Sequence, residues 1–434
     1  MTRIRVRLLA GTAAALCASL LASGCSSSGS GAGGSGNTGS AAHPVTLTFW
    51  GTYGNGGNKA QTDALSSTII PAFEKSHPGI KINYVDIPYN SLLQKLETSA
   101  AGGQLPDLIR SDISWVPKFA SLGVFAQLDG KMSNFSALSG ADYPGTVDTT
   151  KWQGHYYGLP LDTNTRVLIS NGQALQSAGI SSPPKTFADL QQDATALAAK
   201  GIPVFADSGL QAWNILPWIW SGGGEITSPD LTKASGYLDG PKSVAAVQML
   251  VDLYKKGAIP NLITGNNGAV STQDGLPKGK YADILDGPWM HDIWAGQYKS
   301  FQPVYSPMPA GSGGSVSVVG GEDIVMTNSS KNQAAAEQFM AFSQSATYQL
   351  AMAKTGQMSV VSALGTQEAQ QVPYLAPYIA QLQTARARPA VPEAPQIDTV
   401  LQDQLTPAFQ GKTSVQAALT AAAKQIDPLL TDTK

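Results

Sequence analysis

The chain has 434 residues, with 28 Lys and Arg against 30 Asp and Glu and only two cysteines. No block of basic residues supplies the electrostatic footprint of a nucleic-acid binder. Charged residues make up 13% of the chain, roughly half the usual share, so Ser, Thr, Gln and Asn must carry the surface.

Arg3, Arg5 and Arg7 open the chain, and an apolar run broken by small residues follows as far as Leu21. A basic start, an apolar middle and a small-residue exit predict a secretory signal over residues 1–24. The run is too short and too rich in Ala, Gly and Ser for a good membrane span. Leu21-Ala22-Ser23-Gly24-Cys25 resembles the lipobox of bacterial lipoproteins, with Ala22 where that pattern usually has Leu. The resemblance implies cleavage before Cys25 and a lipid on its thiol. Cys17 would leave with the signal, so the exported chain would hold no disulfide and would depend on its core. Its net charge would be about −5, and its length favours two domains. Residues 26–44 are Ser- and Gly-rich and read as a flexible tether spanning roughly 24 Å.

Order is expected from Val45, where Val45-Thr46-Leu47-Thr48-Phe49-Trp50 reads as a strand ending in a glycine-rich turn. A helix over 63–75 follows, with Leu65, Ile69 and Phe73 at spacing four and Pro71 splitting it. Residues 80–85 alternate as a strand, Leu92, Leu93 and Leu96 mark a helix, and Asp107-Leu108-Ile109 is a short buried strand. Strands alternating with helices imply a parallel α/β sheet. Further strands are expected over 166–170 and 202–205. Helices are expected after Thr186, an N-cap with Asp189 in the box position, and over 243–256, 332–343 and 414–426.

Several segments in this order resemble the extracellular solute-binding proteins of ABC importers, in the maltose/trehalose-type group. They are Leu47-Thr48-Phe49-Trp50-Gly51, Phe73 to Lys81 around His77-Pro78-Gly79, and Leu105-Pro106-Asp107-Leu108-Ile109 with Trp115-Val116-Pro117. Gly158-Leu159-Pro160, Asp286-Gly287-Pro288-Trp289, Gly320-Gly321-Glu322, Arg388-Pro389 and Pro392-Glu393-Ala394-Pro395 continue the series. The resemblance implies an α/β, two-lobe periplasmic-binding-protein-like fold (type II) with a multi-segment hinge that closes on its ligand. It places the chain crossings near 162–166, 304–307 and 355–365. The N-lobe would be 45–162 plus 308–355, and the C-lobe 166–304 plus 362–434. It implies a monomeric sugar-binding lipoprotein on the outer face of the cell membrane, or in the periplasm of a Gram-negative cell, delivering a di- or oligosaccharide to an ABC permease.

A sugar offers hydroxyls and apolar C–H faces, so its site needs planar polar groups and aromatic rings. By the resemblance Trp289 stacks on a sugar ring, and Asp112 supplies a carboxylate, which can otherwise cap the turn at Ser114. Trp50 and Tyr53 lie at the end of the first strand, where ligands of open α/β sheets sit; Trp50 can equally be core. Trp213 with Gln211 matches an aromatic and an acid of the family's C-lobe site, Gln211 replacing the acid. Asn164 stands where some relatives have Glu, Glu322 where many have Trp, and Arg388 where some point an Arg into the cleft.

Two rivals remain. A secreted glycoside hydrolase would need two carboxylates roughly 5–10 Å apart; Asp112, Glu225 and Glu322 are candidates that nothing in the sequence pairs. His43, His77, His155 and His291 are scattered without metal-ligand spacing, and there is no Gly-x-Ser-x-Gly elbow. The expectation is therefore a binder, not an enzyme, with no cofactor or metal. The same trap could instead hold a polyamine, using acids among the tryptophans; such binding would weaken steeply with salt.

Overall fold

A computed structural model describes residues 38–54, 59–265 and 268–431. The expected signal, the lipid site at Cys25 and most of the tether lie outside the described residues. The tether's last part, 38–44, is held by a Ser40–His43 turn, and Val45 N then donates to Gly79 O at 2.8 Å.

Among the described residues eleven strands form in chain order: β1 (Val45–Gly51), β2 (Ile80–Asp86), β3 (Leu108–Asp112), β4 (Lys151–Trp152), β5 (His155–Tyr156), β6 (Leu159–Thr165), β7 (Val167–Asn171), β8 (Phe205–Ala206), β9 (Asp283–Asp286), β10 (Pro303–Ser306) and β11 (Val319–Met326). They build two main sheets, ordered β2-β1-β3-β11-β6 and β10-β7-β9-β8, with β4 and β5 as a separate hairpin. The expected parallel sheet is only partly parallel. β1 runs parallel to β2 and β3, where helical crossovers join them, but β11 is antiparallel to both β3 and β6. β11 enters from the other sheet, so no crossover helix fixes its direction.

Each sheet is covered on both faces. Strand alternation sends Leu47 and Phe49 into one core with Phe73, Phe339 and Tyr348. Trp50 and Ile109 go to the other face, under Leu92, Leu96 and Phe119. The second sheet packs Leu168 and Leu285 against a large helical core containing Trp218, Leu250 and Leu401. Its other face packs Ile169 and Ile284 against Trp294 and Tyr378. The fold is thus α/β with two lobes.

The chain passes between the sheets three times. Only Arg166 separates β6 of the first sheet from β7 of the second. The return comes later than 304–307, because Met308 and Val318 still pack in the second lobe's core and β11 joins the first sheet at Val319. The last pass falls between Met352, in the first core, and Leu375, in the second. Along it Thr163 N donates to Met358 O at 3.0 Å.

Local signals explain individual elements. Thr186 and Asp189 form the reciprocal capping box of helix Phe187–Ala198. Pro71 cannot donate to the preceding turn, and the helical stretch runs through a π turn (Leu65–Ile69) before resuming at Ile70–Ser76.

Candidate ligand-binding cleft

A cleft of about 350 Å³ opens where the ends of β3 and β6 meet the second lobe. Its walls are Tyr89, Asp112, Ser114, Asn164, Trp213, Trp289, Gly320, Gly321, Glu322 and Arg388. Residues far apart in sequence converge here because β3, β11 and β6 are neighbours: Glu322 faces Asp112 across one ladder and Gly320 faces Asn164 across the other.

The second lobe contributes the rings. Trp213 lies in the first turn of helix Ala212–Ser221, whose Ala212 N donates to Asp398 Oδ1 at 2.8 Å. Trp289 opens helix Trp289–Gln297. The two indoles stack with centroids 6.3 Å apart and planes 27° apart. Trp289 is 40% exposed, unusual for so large an apolar ring and suited to a platform. Arg388 lies 5.7 Å from the Trp213 ring and Arg166 lies 5.6 Å from it. Arg166 also donates to the Trp213 carbonyl at 3.0 Å and to Asp207 at 2.8 Å. A Cβ at residue 287 would sit 2.1 Å from the Trp289 ring, so any side chain there would displace the platform.

The first lobe contributes polar groups held from behind. Asp112 Oδ1 accepts from Ser114 N (2.8 Å) and Ser114 Oγ (2.6 Å), and its Oδ2 accepts from Tyr89 Oη at 2.7 Å. Asp112 therefore both fixes the turn and lines the cleft. Asn164 Oδ1 is buried and has no hydrogen-bond partner. Glu322 pairs with Arg110 Nη2 at 2.7 Å. The same guanidinium binds Asp162 through Nε (3.2 Å) and Nη2 (3.1 Å) and donates to Thr52 Oγ1 at 2.6 Å. One buried cation thus faces two carboxylates. Burial pushes the Glu322 carboxyl well above the ordinary carboxylate range, with Arg110 opposing and Asp162 adding to the shift.

Residues 56–350 match the family described as bacterial extracellular solute-binding protein. The chain belongs to that family. Over 383 residues the solute-binding protein is 26% identical to a putative binding protein of Brucella abortus, covering 86% of this chain and 91% of the relative. It is 23% identical over 318 residues to the diacetylchitobiose binding protein of Streptomyces coelicolor, covering 71% of each. Its fold superposes on the cyclic alpha-maltosyl-1,6-maltose binding protein of Arthrobacter globiformis with a TM-score of 0.79. That match has 24% identity and covers 90% of this chain and all of the other.

In this solute-binding protein the structure brings Asp112, Asn164, Trp213, Trp289, Glu322 and Arg388 together. It does not bring Trp50, Tyr53 or Gln211 to the cleft wall. Strand alternation turns Trp50 into the helix-covered face, where Lys95 Nζ lies 4.6 Å over its ring. Tyr53 is 1% exposed and stands behind the site: its hydroxyl donates to Asp162 Oδ2 at 3.0 Å, and Arg110 covers its ring at 4.4 Å. Gln211 is the exposed N-cap residue of the helix carrying Trp213 and makes no side-chain cap. Tyr89 and Ser114 were not among the expected residues. Tyr89 begins helix Tyr89–Gly102 just after β2, so the rule that ligands sit beyond strand ends could have found it. Of the carboxylates considered for hydrolysis, Asp112 and Glu322 share the cleft, whereas Glu225 pairs with Arg386 at 2.7 Å elsewhere. Among the described residues no group of three His, Cys, Asp or Glu could hold a metal ion, and no helix is long and apolar enough to cross a membrane.

Proposed function

We propose that this solute-binding protein captures a di- or oligosaccharide between its lobes and delivers it to the membrane permease of an ABC importer. The observation that carries the reading is the stacked Trp213–Trp289 pair of one lobe facing Asp112, Asn164 and Glu322 of the other. Aromatic faces take the C–H side of a sugar, and planar polar groups take its hydroxyls. The unpartnered Asn164 Oδ1 gains an acceptor role when a hydroxyl reaches it, relieving the cost of a buried lone pair. Both the Streptomyces and Arthrobacter proteins are named for oligosaccharides, which supports the same cargo class.

Ligand bridging the lobes favours the closed arrangement by the extra contacts made there, and the closed form docks on the permease. A lipid on Cys25 holds the monomer at the outer face of the membrane. Arg110 and Arg388 beside the acids oppose a polycationic ligand. Small-angle scattering tests the mechanism: a tightly binding sugar reduces the radius of gyration. Tight binding without compaction refutes the closing step.

A further inference from the structure

A second and larger chamber, about 810 Å³, lies between the lobes on the far side of Arg388. A smaller cavity of about 100 Å³ shares wall residues with both. Ser114 and Arg388 line both the first cleft and the smaller cavity, and Arg388, Pro389 and Ala390 line both the smaller cavity and the chamber. We propose that the chamber is a second carbohydrate-binding compartment, taking the distal rings of an oligosaccharide whose other end sits on Trp289. This rests on the carbohydrate reading above and deepens it to a long chain.

The chamber is bounded by both lobes. The β4–β5 hairpin forms one side, and its Tyr156 packs on the first lobe's core. Trp220 and the segment after it form the other, and Trp220 belongs to the second lobe's core. A chain filling it would bridge the lobes as the first cleft does.

Its chemistry is that of a neutral polyol site. Asp148, Glu225 and Asp230 are balanced by Lys151, Arg386 and Arg388, so neither an anion nor a cation is favoured. Arg386 grips Glu225 as a two-pronged fork, Nη1 to Oε1 at 3.0 Å and Nη2 to Oε2 at 2.7 Å. The guanidinium also lies 4.7 Å over the Trp220 ring. The pair presents two fixed planar polar groups beside an aromatic wall, the combination that recognises sugar hydroxyls. Trp152 and Trp220 both carry buried indole N–H groups with no acceptor among the described residues.

The backbone points the same way. Among the described residues only two non-glycine residues have positive φ, Gln153 at 48° and Leu231 at 54°, and both line this chamber. Gln153 and Gly154 (φ 83°) form the two-residue turn of the hairpin. Such turns favour Asn or Asp at the first position; Gln pays a steric cost there. Strain of this kind concentrates at ligand-handling positions.

The test is calorimetric titration of the whole chain with maltose and maltohexaose, and with chitobiose and chitohexaose. The wild type binds the six-ring member of its preferred series tighter than the two-ring member. Trp152→Ala removes that advantage, weakening the long sugar about tenfold, as expected for losing one aromatic contact, and leaving the short sugar within twofold. Gln153→Asn keeps the turn better satisfied, so it raises the thermal midpoint while weakening the long sugar only. Equal loss for both lengths, or no loss for either, overturns the second chamber while the first cleft stands. Absence of binding by all four sugars overturns the carbohydrate reading and the chamber with it.

Discussion

A single methyl group at Gly320 tests whether Asn164 and Trp213 hold the ligand. A Cβ built there would lie 2.3 Å from Asn164 Oδ1 and 2.9 Å from the Trp213 ring. Ordinary contact needs about 3.5 Å, so the Asn164 amide must retreat by roughly 1 Å and the indole by about half that. Both are side-chain tips beside an open cleft, so in the free protein they yield into it, and stability falls by less than about 1 kcal/mol. Ligand must then drive them back. The overpacking cost of about 1–3 kcal/mol appears in affinity, roughly a five- to hundredfold loss. Gly321→Ala is the control. Gly321 has φ +127°, and its Cβ would meet Asp162 O at 2.3 Å and Thr163 Cα at 2.7 Å, both backbone. That variant should lose more than about 2 kcal/mol of stability. Titration calorimetry and urea unfolding read the two effects. Unchanged affinity in a folded Gly320→Ala protein would refute the placement of Asn164 and Trp213 in the site.

Trp289→Ala should weaken binding by about 2–4 kcal/mol, the range for a central aromatic anchor. Its thermal midpoint should barely move, because the ring is 40% exposed; calorimetry beside a melting curve checks both. Arg110→Met leaves Asp162 and Glu322 without their cation, which should cost about 3–5 kcal/mol in urea unfolding at pH 7. Burial pushes both Asp142 and Asp283 to about 8. The folded state therefore holds protons that the unfolded chain releases near pH 4. Their contribution is full below pH 4 and is lost as pH rises to about 8, by about 1.4 kcal/mol per pH unit for each proton. Urea midpoints of wild type minus Asp142→Asn/Asp283→Asn should show that decline; a flat difference contradicts it.

Much of the fold was legible because local chemistry and tertiary packing agreed. The capping box at Thr186, the strand at Val45 and the helix stop at His77-Pro78-Gly79 each follow from a few adjacent residues. The direction of β11 was not legible, since it depends on a partner strand some 200 residues away. The site divided along the same line. Asp112 ends a strand and Trp289 begins a helix, and Arg388 lies in the irregular segment before helix Ala394–Phe409. Trp50 sits in a strand, where the pleat decides its face, and that face is covered by helices. Tyr53 follows the end of the first strand, but Arg110, Asp162 and Tyr348 claim it from three distant segments. Nothing local to Lys151–Tyr156 or to Trp220 reveals that they face each other across a chamber.

The most direct test of the central claim is titration of residues 38–434 with neutral oligosaccharides and with polyamines, each at low and high salt. The account predicts that an oligosaccharide binds, that its affinity is insensitive to salt because no net charge is neutralised, and that Trp289→Ala abolishes most of it. Silence toward every sugar, with a polyamine bound tightly at low salt and released at high salt, would contradict it.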